Sequence, residues 1–414
     1  MRTLLTAIPA VRSATRNLAA LCLVGAAIGL DAYPAAGQDT RAEIIAAQQR
    51  EKAGALKRYE PAAAEEVLEA IEKGQWFIGP NPKGLYPYFD SIYPGAGLAL
   101  GAGYRKYFGY DSHVDVRGLY AVSNSKRVEL ALSSPRHASG RLDWRAQTGW
   151  MDATRVPFFG LGPDSSPDNR TTVRLNQIYA LGTVRFRPRP WLVLGAGAGY
   201  RDFTEKESQG EGASVGDVFT EETAPRLGTN PAYVETQASA ALYWLKSPGY
   251  SRTGGLYRYT YENYHVVRGG SGRFGLSRGE LVQHIPLLRE TWVLSLRARG
   301  ESLVGDVDQA AYFVYPYLGN GETLRGFPVA RFRDRHSLLF TGEWRWTPNR
   351  SALDMALFVD AGKVSPRVDL SLSGLETDVG LGVRIHGAAL TAVRVEVARS
   401  REGWRAVFSG SAPF

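Results

Sequence analysis

The sequence predicts an all-β chain: a transmembrane antiparallel β-barrel of about sixteen strands behind a short N-terminal helical segment. Three observations lead there. From Gly95 onward, apolar and polar residues alternate with a period of two. The alternating runs reach about nine to twelve residues, against roughly five or six in soluble sheets. Aromatic residues gather near the run ends, as at Trp191 and Tyr200 or Trp404 and Phe414. An outward apolar face with aromatic girdles and a polar inner face is the pattern of an outer-membrane barrel. Closure also leaves no unpaired sheet edge in lipid.

The first element is an export leader, residues 1–37. Arg2, Arg12 and Arg16 form a basic start, Leu18–Leu30 is a short apolar run, and Ala35 and Gly37 are the small residues before a cleavage site at Gln38. The apolar run is shorter than the roughly 20 residues a membrane helix needs. Cys22, the single cysteine, falls in this leader, so a disulfide framework, a thiolate nucleophile and a cysteine-based metal site are all excluded from the mature chain. Loss of the leader removes three arginines and Asp31 and takes the formal charge from +8 to +6. A basic balance in an exported chain points to anionic lipid head groups or a charged lumen rather than to nucleic acid.

Residues 38–94 follow as a helical segment and linker. The stretch AEIIAAQQREKAGALKRYE is rich in helix formers. Pro61 suits the first turn of a second helix that carries Ala64, Val67, Leu68 and Ile71 on one face and stops at Gly74. Asn81–Pro94 is punctuated by prolines and reads as a linker.

The barrel is expected over 95–414. In GLALGAGYR, Leu98, Leu100, Ala102 and Tyr104 share a face. In TWVLSLRAR, Trp292, Leu294 and Leu296 oppose Arg297 and Arg299. In DVGLGVRIH, Val379, Leu381, Val383 and Ile385 oppose Asp378, Arg384 and His386, and in TAVRVEVA, Val393, Val395 and Val397 oppose Arg394 and Glu396. About fifteen such segments can be marked, and because bacterial single-chain barrels favour even counts a sixteenth is expected. Gly162–Arg170 and Glu205–Asn230 read as long loops. The GxGxxG at Gly270–Gly275 lies among strands with no following helix, so it is not a dinucleotide fingerprint. The last strand, GWRAVFSGSAPF, places Trp404, Phe408 and Phe414 on one face and resembles the C-terminal signal by which outer-membrane proteins reach their insertion machinery.

Four stretches carry a wider resemblance. GNGETLRGF, SLLFTGEWRW, MALFVDAGKV and DVGLGVRI, followed by a strand ending in Phe, resemble the barrel of the BamA/TamA superfamily, the bacterial surface antigen family. RVPFFGLGPDSS at Arg155–Ser166 resembles a further segment of such barrels. The resemblance implies that the loop bearing Arg325, Gly326 and Phe327 folds back into the barrel, where the arginine meets acids on the wall. Parity supplies those acids, since Leu338, Phe340, Trp344 and Trp346 on the lipid side leave Glu343 and Arg345 inside. Leu353, Met355, Leu357 and Val359 likewise leave Asp360 inside. A bidentate arginine–carboxylate pair is charge-assisted and specific in geometry. The chain departs from the family in residues 38–94, which show no strands and are short for even one polypeptide-transport-associated domain.

The resemblance implies an outer-membrane protein that inserts or translocates polypeptides through a weak seam between first and last strands, placed at Gly95–Tyr104 and Trp404–Phe414. Its implied partners are outer-membrane lipids and lipopolysaccharide, unfolded outer-membrane clients, and the assembly machinery for its own insertion. The alternative is a loop-plugged channel or structural barrel, in which Arg297, Arg299, Arg345, Arg384 and Arg394 would charge the lumen for anions. An enzyme is not expected: there is no GxSxG or HExxH, and the six histidines are scattered. No cofactor and no metal ligands are expected.

Overall fold

A computed structural model describes residues 41–55 and 81–414, apart from 110, 210–211, 248, 289–290, 349–351, 387–390 and 411–412. The leader and the second helix expected at 61–74 lie outside the described residues. Helix α1 spans Arg41–Ala55 and belongs to a compact unit separate from the one holding the strands. No described helix is long and apolar enough to cross a membrane.

The second unit is built on one 16-stranded antiparallel sheet in which every strand pairs with its sequence neighbour. Its strands are β1 Gly84–Asp90, β2 Ala99–Phe108, β3 Ser112–Ala121, β4 Lys126–Arg136, β5 Leu142–Phe158, β6 Thr171–Arg189, β7 Leu192–Lys206 and β8 Ala232–Tyr243. They continue as β9 Gly254–Arg268, β10 Arg273–Leu288, β11 Trp292–Gly305, β12 His336–Trp346, β13 Leu353–Ser365, β14 Glu376–His386, β15 Thr391–Ser400 and β16 Gly403–Ser409. Short turns join them at one end, except for the longer loop 244–253. The loops at 91–98, 159–170, 207–231, 306–335 and 366–375 all lie at the other.

The alternation divides the wall as the sequence predicts. Leu98, Leu100, Leu296, Val379, Leu381, Val395 and Val397 are exposed in rows on the outer face. Rows of exposed large apolar side chains would be a liability in water, and lipid removes it. The inner face is closed by its own loops. Loop 244–253 reaches from β8 to the far wall at the short-turn end. There the Thr391 amide donates to the Gly249 carbonyl at 3.0 Å, and the Tyr250 ring stacks on His386 at 3.8 Å. At the other end Arg331 of loop 306–335 bridges Ser165 after β5 and Glu402 before β16, at 2.9 and 2.8 Å. These ties hold opposite walls together and curl the sheet around a lumen.

Two expectations need correction. The proline-punctuated linker contains a strand, β1, and this is the sixteenth. Pro87 lacks an N–H, which an edge strand tolerates. Tyr86 and Tyr88 point inward, the Tyr86 hydroxyl donating to Asp115 at 2.5 Å and Tyr88 lying under Arg117, while Leu85 and Phe89 face outward. The barrel therefore begins at Gly84, and the seam lies between Gly84–Asp90 and Gly403–Ser409 rather than at Gly95–Tyr104. No backbone ladder joins these two strands among the described residues, and at seven residues each they are the shortest in the sheet. The second correction concerns Phe414. The last strand ends at Ser409, and Phe414 turns into the lumen instead of continuing the outer row of Trp404 and Phe408. Its ring lies parallel to His284 at 6.1 Å and under Arg297 at 5.6 Å. A ring beyond the last ladder bond is free of strand parity and takes the apolar and cationic contacts nearest to it.

Candidate functional site

The site is the inward fold of loop 306–335 against the wall of β12–β15. The loop carries a small apolar core of its own. Leu318, Leu324, Phe327 and Phe332 pack together and against Leu339 and Val364 of the wall. A two-residue ladder, Tyr317–Leu318 with Phe332–Arg333, closes its base. At the tip, the Asn320 side-chain oxygen accepts from the backbone N–H groups of Glu322 and Thr323 at 2.6 and 2.7 Å, an Asx turn that reverses the chain. Leu324 then takes the left-handed conformation at φ 44°, which aims the next residue at the wall. Gly326 has no room for a side chain: a Cβ there would stand 2.7 Å from the Asp378 Cβ.

Arg325 is fully buried. Its Nε and Nη2 donate to the two oxygens of Asp360 at 2.8 and 3.1 Å, and its backbone N–H donates to the same carboxylate at 3.2 Å. Nη1 donates to Glu343 at 3.2 Å and to Glu396 at 3.1 Å. The guanidinium lies 3.3 Å from the centre of the Phe358 ring. Gly380 makes space for that ring, because a Cβ there would stand 2.2 Å from it. Thr341 donates to Asp360 at 2.8 Å and fixes the carboxylate. Burial alone disfavours the Arg325 charge, but Asp360, Glu396 and Glu343 outweigh it and raise its pKa further.

The cluster continues along the wall. Arg384 donates to Glu343 at 2.7 Å and to Glu396 at 2.9 Å. Arg394 donates to Glu396 at 2.8 Å and to the Gly321 carbonyl of the loop at 2.8 Å. Arg345 has its Nε 3.6 Å from Glu343 and donates to the Ser251 carbonyl of the opposite loop at 2.5 Å. Asp378, ladder partner of Asp360, completes the group beside Gly326. Arg325, Arg345, Arg384 and Arg394 thus stand against Glu343, Asp360 and Glu396, all buried together, while the buried Asp378 carboxyl beside them accepts no hydrogen bond. Burial of so many charges is tolerated because Arg325, Arg384 and Arg394 satisfy Glu343, Asp360 and Glu396 directly. Chemically it is a lock that ties the loop to four adjacent strands.

The sequence places Arg325 with Asp360 and Glu343, and the structure brings all three together. The alternation puts Glu396 on the inner face but does not show its part in the lock. Strand parity was the signal for it, but parity does not say which inward residues meet. Arg384, Arg394 and Arg345 belong to the lock rather than to an open lumen. Arg297 and Arg299 lie outside the carboxylate cluster, the first donating to Glu280 at 2.9 Å, to the Glu322 carbonyl of the loop at 3.1 Å and to the Pro413 carbonyl at 3.4 Å, the second to Glu301 at 2.8 Å. A pore with these arginines free for anions is therefore not what the lumen presents. Trp404 and Phe408 remain on the outer face, and Phe414 does not join them. A cavity of about 620 Å³ separates the loop from the seam, lined in part by Ile92, Tyr93, Arg299, Tyr317 and Phe408. No group of three or more metal-ligating side chains occurs among the described residues.

The fold can now be set beside known proteins. It is similar to the crystal structure of BamA from Haemophilus ducreyi lacking its first three POTRA domains, with 13% identity, TM-score 0.58, and coverage of 78% of this chain and 69% of that one. Looser likenesses are to CdiB from Acinetobacter baumannii (11% identity, TM-score 0.48, 79% and 56% covered) and to Wzi, a carbohydrate-binding outer-membrane barrel of Escherichia coli (12%, 0.34, 88% and 89%). No family model matches the sequence, and no curated protein matches it. The first likeness shows a shared barrel fold. At these identities it does not carry an activity from one protein to the other.

Proposed function

We propose that this protein is an outer-membrane barrel that helps insert or translocate polypeptides, with Arg325 locking its long loop inside the lumen. The observation that carries the reading is the pairing of that lock with an unladdered seam. A locked loop braces β12–β15 from within, while among the described residues no backbone ladder joins β1 to β16. A free edge can be extended by a client strand through backbone hydrogen bonds, the general mode of β-augmentation. The barrel fold shared with BamA supports the same direction. The reading places the long-loop end outside the cell and the short-turn end in the periplasm. It assigns lipids and lipopolysaccharide as surroundings, unfolded barrel proteins as clients, the assembly machinery for the chain's own insertion, and no catalytic role.

The test is client folding. The purified chain in phospholipid vesicles should speed the appearance of heat-modifiable, folded client barrel from a urea-unfolded outer-membrane protein. Depletion in the native host should lower a subset of outer-membrane proteins. Vesicles no faster than protein-free ones, together with an unchanged outer-membrane profile on depletion, would overturn the reading. The second reading is a closed structural barrel, favoured by the loop that fills the lumen. It predicts neither client folding nor steady conductance in planar bilayers.

A further inference from the structure

Lys363 breaks the alternation of the wall. It pairs with Leu338 on the outer face, between Gly362 and Val364, which point inward onto the loop core. It thus places a cation on the side meant for lipid. The girdle at the short-turn end is marked by Trp292, Trp344 and Trp346, and Trp346 is the ladder partner of Met355. An apolar band about 25 Å tall, crossed by strands tilted about 35–45°, takes about ten residues. Counted from Met355 along β13, that band ends near Ser365, so Lys363 falls inside its upper border.

The charge is not bare. The segment after β13 folds down over it, leaving the Lys363 side chain only 5% exposed. The ammonium donates to the Asp369 carboxylate at 2.6 Å, the Ser371 hydroxyl at 3.0 Å and the Ser373 carbonyl at 3.2 Å, which uses all three of its protons. The Asp369 carboxylate accepts from the Ser371 amide at 2.8 Å and stiffens the turn. Residues 369, 371 and 373 therefore face the wall. The alternate residues Val368, Leu370 and Leu372 face away and are 68%, 76% and 70% exposed. Nothing in the sheet's own packing requires three large apolar residues there. Like Met355, Leu357 and Val359 on β13 and Val379 and Leu381 on β14, they are large apolar side chains left exposed.

We propose that residues 366–373 form a flap that lies in the lipid interface at the long-loop end, its polar edge capping Lys363 and its apolar edge of Val368, Leu370 and Leu372 in contact with acyl chains. The occupant is the bilayer itself, because the flap covers a residue of the lipid-facing wall and turns its apolar edge away from that wall. The flap extends the apolar band beyond the ladder shared by β13 and β14, on the strands that hold the Arg325 lock. It rests on the membrane-barrel reading above, and its test separates the two.

Single cysteines at Val368, Leu370 and Leu372, in a Cys22→Ser background, carry an environment-sensitive fluorophore in phospholipid vesicles. Leu381→Cys on the wall and Glu222→Cys in an exposed loop serve as references. The flap sites should lose fluorescence to a lipid-borne nitroxide as Leu381 does, and resist aqueous iodide, which should quench Glu222. Lys363→Ala should release the flap and shift the Leu370 probe toward iodide quenching. If Leu381 is quenched from the lipid while the three flap sites are quenched by iodide, the flap inference is overturned and the barrel reading stands. If Leu381 itself escapes the lipid quencher, the barrel reading fails and the flap with it. An unchanged Leu370 probe in Lys363→Ala would overturn the capping role of the lysine.

Discussion

Replacing Arg325 with alanine tests the lock most directly. The substitution removes a guanidinium that serves Asp360 with two side-chain bonds and reaches Glu343 and Glu396 with a third nitrogen. Asp360 then keeps only the Thr341 hydroxyl among its side-chain donors. Breaking one member of a buried ion pair costs about 3–5 kcal/mol, because the partner charge remains without water or a counter-ion. The loss of the Phe358 cation–π contact adds to this, at about 0.5–2 kcal/mol. Urea titration of the detergent-folded barrel should therefore show a clearly lower midpoint. Limited proteolysis should open loop 306–335, which resists cleavage when seated. Asp360→Asn should weaken the same lock, and Arg325→Ala with Asp360→Asn should cost less than the two singles together, by about 0.5–3 kcal/mol of coupling. Arg325→Lys should fall between, since a lysine keeps the charge but cannot make the bidentate fork. An unchanged midpoint with a protected loop, or strictly additive costs, would refute the reasoning.

Other outcomes follow from the same geometry. Gly326→Ala should unseat the loop and expose it to protease, because its Cβ would collide with Asp378; Asp378→Gly in the same chain should restore part of the protection, and no restoration would point to another contact. Disulfide scanning should find that cysteines at Leu381 and Val397, ladder partners on β14 and β15, crosslink readily, while no pair across Gly84–Asp90 and Gly403–Ser409 reaches that yield; a seam pair equal to the ladder control would mean the seam is zipped. Phe414→Ala should leave the barrel folded and lower its urea stability by about 0.5–2 kcal/mol through loss of the Arg297 contact, and a chain that fails to insert at all would assign Phe414 a role in targeting instead. The flap should also persist into acid. Hydrogen bonding from Lys363 and from the Ser371 amide holds the Asp369 carboxyl at about 2, below its ordinary 3.8, so its contribution is in place above 3.8 and is lost as pH falls through about 2. Lipid quenching at Leu370 should be unchanged between pH 7 and pH 4, and a loss already at pH 5 would exclude this anchor.

The sequence by itself determined the wall. A period of two assigns each residue to one face, so the outer rows of leucine and valine and the inward aim of Glu343, Asp360, Arg384 and Glu396 were legible without coordinates. The Arg325 partners Asp360 and Glu343 were legible from parity only because the resemblance carried by the LRGF stretch implies a loop that returns to the wall. Tertiary structure decided everything that depends on register and on the path of the chain across the lumen. Glu396 joins the lock because the ladders of β13–β15 bring it beside Glu343, which lies on a strand three places away. β1 was hidden by the prolines around it, of which Pro87 alone lies within the strand, at the edge of the sheet. Phe414 left the outer row because the ladder stops at Ser409, and beyond the last hydrogen bond the alternation no longer constrains a side chain. Lys363 reads as an error in the pattern until the fold of 366–373 supplies its three acceptors. Alternation is a local property of the strand; which facing groups meet is set by how sixteen strands and their loops close on one another.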